Sequence, residues 1–208
     1  MPLFTVFIIF VFVIRHAIRK NDARRDADNA AFFKKEHDAN FVRKKSLDDL
    51  SYIRIREEDL PFGALPEDPE ALEAERLIRG LIGEPIVNLT GISNTDLKLA
   101  YGTANITVLT QYDTNYMTLA RALQKWSRAL FQSGRYQEAA RVLAFAIDTR
   151  TDISQSWHLY IECLRFHLGL APEESRQKMI SLLPVAQSLN SLSRDGIVRE
   201  LEEAIGDL

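Results

Sequence analysis

From Pro2 to Ile14 the chain reads PLFTVFIIFVFVI, with Thr5 its one mildly polar residue and no polar face that a helix could turn toward water. Such a run is at home only in a nonpolar solvent. At about 1.5 Å per residue it falls short of a bilayer core roughly 30 Å thick, but continuing through Ile18 nearly reaches it if Arg15 snorkels. Residues 1–18 are therefore expected to form a transmembrane anchor. A cleaved signal peptide would carry its positive charge before the apolar run and small residues after it, whereas Arg15, His16, Arg19 and Lys20 stand where the cleavage site would be. A buried core helix is the other alternative for a run of this length.

Arg15, Arg19, Lys20, Arg24 and Arg25 follow the run, with Asp22 the one acid among them. By the positive-inside rule this side stays in the cytoplasm and the N-terminus faces out. The expected location is thus a cell membrane, crossed once. Residues 19–45 are rich in alanine and charge and lack glycine and proline, so a helical juxtamembrane stalk is expected. Phe32, Phe33, Phe41 and Val42 come as two isolated pairs and make no continuous stripe. Lys34, Lys35, Arg43, Lys44 and Lys45 suit either a solvated helix face or contact with anionic headgroups. Residues 46–68 read as a linker, with a possible short strand at Tyr52, Ile53 and Ile55 before Pro61, Gly63 and Pro66.

From 69 to 208 the pattern is helical, so the fold class expected is all-α. Asp68 is placed to cap a helix that starts at Pro69, presents Leu72, Ile78, Leu81 and Ile82, and stops at Gly83 and Pro85. Ile86, Val87, Leu89 and Ile92 look buried, and a short helix ends at Gly102; the pairing of residues 84–112 stays unassigned. Asp113 is the expected cap of the next helix, with Tyr112 and Met117 stapling its entry. Tyr116, Leu119, Leu123, Trp126 and Leu130 then recur at intervals of three and four. Gly134 breaks the pattern, and Tyr136, Ala139, Ala140, Leu143, Ala146 and Ile147 resume it. The prediction is a helical hairpin. Near the C-terminus, Ile197, Val198, Leu201, Ala204 and Ile205 share one face opposite Glu200, Glu202 and Glu203.

Trp126, Leu130, Gly134, Tyr136, Ala139, Leu143 and Ala146 together resemble a tetratricopeptide repeat, a family built of helix pairs joined at a glycine turn with a period of about 34 residues. One such period carries Leu119 to Ile153, Leu123 to Trp157, Trp126 to Tyr160 and Leu130 to Leu164, apolar onto apolar. The resemblance covers residues 116–168 and then decays: Thr151 stands at the closing proline, Gly169 is displaced and Pro184 interrupts the next helix. Upstream it fails at Asp96. The helix from Pro69, the irregular section to Gly102 and the last helix are expected to cover the ends of this short stack.

The resemblance implies a binding surface on the first helices of each pair, formed by Arg121, Gln124, Arg128, His158, Glu162 and Arg165. Its arginines would favour an acidic or carboxylate-ended segment of a protein partner. A net charge of −3 over 208 residues excludes the basic excess of a nucleic-acid protein. The single cysteine rules out an internal disulfide framework. The best chemical pair is Cys163 and His167, four apart on one helix, which keeps a thiol enzyme or cofactor protein as an alternative; a core cysteine is the simpler reading. No phosphate loop or hydrolase serine motif occurs, DTN at Asp113 has too few oxygens for calcium, and the ligand set for zinc is incomplete, so no cofactor or metal is expected. NLT at Asn88 and NIT at Asn105 match the glycosylation pattern and would matter only outside the cytoplasm. The sequence thus points to a membrane-anchored adaptor or assembly factor rather than an enzyme, with a self-associating structural protein as a further alternative.

Overall fold

The structure, a computed structural model, describes the backbone from Pro2 to Leu208, and the side chains of every residue from Asp28 onward plus Phe7, Ile14, Arg15, Ile18, Arg19, Lys20, Asn21 and Arg25 before it. It is all-helical: the one β pairing among the described residues is an isolated antiparallel bridge between Tyr52 and Val87. Among them no helix is long and apolar enough to cross a membrane, and most of the side chains of the expected anchor, residues 1–18, lie outside them. The chain divides into two compact units, residues 1–46 with 93–106 and residues 47–92 with 107–208.

In the first unit, α1 (Pro2–Asn40) is continuous through the segment expected as a stalk, because no proline or glycine interrupts it. Its last turns pack on α3 (Asn94–Tyr101). Ala39 is fully buried there, while Phe32, Phe33 and Phe41 remain exposed. The contact is polar at its edges: Lys35 pairs with Asp96 at 2.6 Å, and Glu36 accepts from both Lys98 and Thr95. Ser93 caps α3 by accepting from the amide of Asp96, and Gly102 closes it at φ 88°. A β-carbon at Gly102 would stand 2.6 Å from the carbonyl carbon of Arg43, so only glycine fits. Asn105, wholly buried, then donates to the carbonyls of Lys45 and Tyr101 at 2.8 and 2.7 Å. α3 therefore packs with α1 within the first unit.

The second unit holds α2 (Pro69–Arg79), α4 (Ile106–Gln132, from Thr107 onward), α5 (Tyr136–Asp148), α6 (Ser154–Glu162), α7 (Pro172–Gln187) and α8 (Arg194–Gly206). Asp68 caps α2 at the amide of Ala71, as expected. The buried face of α2 differs from the expected one: Ala71, Ala74, Glu75 and Ile78 point inward while Leu72 is 45% exposed. Glu75 is kept buried by accepting from the amide of Gly63 with both oxygens at 3.0 Å.

α4 starts seven residues before Asp113, which is therefore no cap; its carboxylate instead accepts from the amide of Leu89 at 3.2 Å. Gly134, at φ 71°, makes the expected break between α4 and α5. The residues read as a linker are part of the core. Ile55 and Leu60 are buried, and Phe62 stacks on Trp126 at 5.2 Å. The short strand expected at Tyr52, Ile53 and Ile55 reduces to the Tyr52–Val87 bridge and one bond from the amide of Ile53 to Ile86.

Two hydrophobic clusters result. One joins α2, α4 and α5 around Trp126; the other joins α6, α7 and α8 around Trp157, with Met179, Ile197 and Leu201. Leu123 and Trp157, Leu130 and Leu164, and Ala129 and Cys163 are all buried pairs 34 residues apart. A single π-turn, Cys163–His167, follows α6.

Candidate functional site

The residues expected to form a partner groove fall into two groups, and no hydrogen bond or ion pair among the described residues links them. On α4, Arg121 is exposed, Gln124 is half-buried and Arg128 is paired with Glu70 of α2 at 2.6 Å. On α6 and the π-turn, His158 lies 2.6 Å from Glu200 of α8 and 3.8 Å from Glu162, and Arg165 reaches Asp207 at 3.2 Å while lying over the Phe166 ring. Arg128 and His158 are thus already paired with carboxylates of their own chain, and Arg165 meets Asp207 through one terminal nitrogen while its buried Nε has no partner among the described residues.

Cys163 and His167 are the two ends of the π-turn and make no hydrogen bond with each other among the described residues. The Cys163 thiol is buried and directed at the carbonyl of Tyr136, 3.9 Å away. Burial, followed by the nearby charge of Glu162, pushes it up to about 12, so it stays a neutral thiol at physiological pH. The His167 ring lies flat on Tyr136 at 3.8 Å, with Phe131 set edge-on beside it. His167 is thus held among aromatic rings.

One concave site in the second unit is one that periodicity did not point to. Where α5 gives way to α6, a cleft of about 480 Å³ is lined by Ser51, Tyr52, Ile53, Asn88, Thr90, Phe145, the stretch Asp148–Arg150, Asp152 and Ser188–Asn190. A second lobe shares Thr90, Asp152 and Asn190 and continues past Gly91 to Arg194. Ile53, Phe145 and Leu189 are the apolar part of the cleft.

Arg150 organises this site. The amides of Arg150 and Thr151 close α5 onto the carbonyls of Ile147 and Ala146, the paired bonds of a Schellman stop. That geometry puts Arg150 at φ 60°, the left-handed value that glycine usually supplies, and no other non-glycine among the described residues has a positive φ. Its carbonyl accepts from Tyr116 at 3.2 Å and from Asn88 at 3.1 Å, and its guanidinium binds the Ser188 hydroxyl. Asn88 also donates to Thr149 at 3.1 Å, so its side chain ties the loop before α3 to the end of α5. Both asparagines of the glycosylation patterns, Asn88 and Asn105, therefore spend their amide nitrogens on backbone carbonyls inside the fold.

The walls differ from the frame in being unspent. Asp148 and Asp152 enter no ion pair or hydrogen bond among the described residues, and burial raises the Asp148 carboxyl above its ordinary value. The Asn190 side-chain amide likewise has no partner there, and the Ser191 hydroxyl is buried without one. The sequence signal for this site was a helix stop without glycine, Asp148-Thr149-Arg150-Thr151-Asp152.

No family model, curated protein or solved structure matches this chain. Function therefore rests on the geometry.

Proposed function

We propose that the protein is a membrane-tethered interaction module, an adaptor or assembly factor that holds a segment of a partner protein in the cleft at the α5–α6 junction. The observation that carries this reading is the cleft itself: a depression with apolar residues, a frame fixed by hydrogen bonds and walls whose polar groups have no partner among the described residues, which is the profile of a recognition site. Its frame is held by the Asn88 and Arg150 bonds, so a segment entering it orders little that is not already ordered. The tether is residues 1–18, whose apolar run is followed by basic residues that favour a cytoplasmic position for the domain. A tetratricopeptide-like stacking of helix pairs is supported by the 34-residue spacing of the buried pairs Leu123 and Trp157, Leu130 and Leu164, and Ala129 and Cys163.

The test is site-specific photocrosslinking of the full chain in intact cells. A photoreactive residue at Ser51 or at Asn190, both of which line the cleft, is expected to capture one and the same protein, and the same probe at Arg121 on α4 is not. Capture of lipid alone from both walls, or equal capture at Arg121, would overturn the assignment.

A further inference from the structure

The last turns of α1 bury one side of the helix and leave an aromatic stripe on the other. Lys35, Glu36 and Ala39 meet α3, whereas Ala30, Phe33 and His37, three and four residues apart, come round together on a face turned away from it. Phe41, four residues beyond His37, extends the stripe past the helix end, and its ring lies 4.8 Å from that of His37. Phe32 sets its ring edge-on to Phe33 at 5.7 Å. Phe32, Phe33 and Phe41 are each more than half exposed, and aromatic rings left in water so close together mark a surface that a partner covers.

A bilayer does not reach this surface. α1 runs unbroken from Pro2 to Asn40, so with residues 1–18 as the tether the height of the stripe is fixed. At about 1.5 Å per residue, Phe33 stands about 22 Å past Ile18 and Phe41 about 34 Å. The headgroup layer on one side of a bilayer is only about 5–7 Å thick, and an ordinary helix tilt of about 20° lowers the rings little. The exposed charges beside the stripe, Lys34 and Asp38, are one of each sign, so it selects neither an acidic nor a basic surface.

A second copy of the chain meets these conditions. By the positive-inside rule every copy inserts the same way round, so two α1 helices run parallel and carry the same stripe at the same height. A surface that faces its own image needs no opposite charge. Spacings of three and four residues are those at which the side chains of parallel helices interlock, and Ala30 leaves room for close approach. Confinement to one membrane also raises the effective concentration of the second copy.

We infer that the chain pairs in the membrane as a parallel homodimer through Ala30, Phe33, His37 and Phe41. The pairing rests on the tether in the reading above, and it places two partner clefts on one assembly.

The test uses the purified full chain in phosphatidylcholine vesicles, at high dilution in lipid, with photoreactive benzoylphenylalanine at Phe33 or, separately, at Ala31, which lies off the stripe. Irradiation is expected to give a covalent product of twice the chain's mass at Phe33, at least about tenfold more than at Ala31. With the probe at Phe33, Phe41→Glu, a change at an exposed position, is expected to lower that product by a further factor of about ten, and Ala31→Glu to leave it unchanged. Capture of lipid alone at Phe33, equal product at Ala31, or a product unaffected by Phe41→Glu would overturn the inference. Flotation of the vesicles on a density gradient reads the tether separately. A chain that floats without forming the product loses the pairing and keeps the tether, whereas a chain that does not float loses both. Neither result touches the cleft, which is tested by crosslinking at Ser51 and Asn190.

Discussion

A β-carbon on Gly91 would stand 2.6 Å from Cγ of Asn190 and closer still to that residue's carbonyl oxygen, so two loops of the cleft meet through a residue that has no side chain. Gly91 also sits at φ 78°, where a side chain is strained whatever the space. Because the obstructing atoms include backbone, the neighbour cannot swing away. Gly91→Ala is expected to cost about 1–3 kcal/mol. For a chain of this size each kcal/mol lowers Tm by roughly 2–4 °C. Thermal unfolding followed by circular dichroism checks this, and an unchanged Tm would mean that the loops do not depend on each other.

The two tryptophans should respond differently to loss of the indole N–H. Both are fully buried, but Trp157 donates to the carbonyl of Thr151 at 2.9 Å whereas the Trp126 nitrogen has no partner. Trp157→Phe leaves the carbonyl that opens α6 one donor short; Trp126→Phe removes a polar group that was already unsatisfied. Both variants lose volume, so the comparison isolates the hydrogen bond. Trp126→Phe is expected to be the milder by about 1–2 kcal/mol in urea unfolding. The reverse order would show that packing around Phe62 outweighs it.

What could be read from the sequence is what local chemistry decides. Asp68 before Pro69, Gly102 and Gly134 act within a few residues of themselves, and the structure has each where expected. Asp113 has equally good capping chemistry, yet its acceptor is spent on Leu89, 24 residues earlier, and α4 runs straight through it. Leu72 looked like a core residue because it is large, yet it is 45% exposed while its small neighbours Ala71 and Ala74 are buried. The cleft was illegible for a similar reason. It draws on four separated stretches, around Tyr52, Asn88, Arg150 and Asn190, and no single pattern or motif spans them.

The junction of α1 and α3 should loosen in acid. Hydrogen bonds from Lys98, then Thr95, hold Glu36 below its ordinary value of 4.5, and those from Lys35, then Ser93, hold Asp96 below 3.8. A depressed folded value means that the contribution is present above the unfolded carboxylate range and is lost as pH falls through the folded values. These groups are solvated, so the effect is local and modest. Amide exchange at Leu97 and Leu99, normalised for intrinsic rate, is expected to be slower at about pH 5 than at about pH 2.5, and Glu36→Gln should reduce the difference. Equal protection at both values would mean that apolar contact through Ala39 alone holds the helices together.

Cys163 gives the sharpest division between a binding module and a thiol enzyme. Its thiol is pushed from 9.0 up to about 12 by burial and, second, by the charge of Glu162. At neutral pH this difference lowers the thiolate fraction by about a thousandfold, and the thiolate is the form that reacts. The sign of the linked effect on folding follows: a raised value contributes stability below the unfolded value of 9.0 that is lost as pH rises through about 12. Iodoacetamide at about pH 8 should therefore alkylate the native full chain at least about a hundredfold more slowly than the chain in denaturant. Cys163→Ala should leave crosslinking at Ser51 unchanged, because the thiol contacts the carbonyl of Tyr136 and does not line the cleft. Rapid alkylation of the native chain, faster than in denaturant, would instead place an activated thiolate beside His167 and return the enzyme reading.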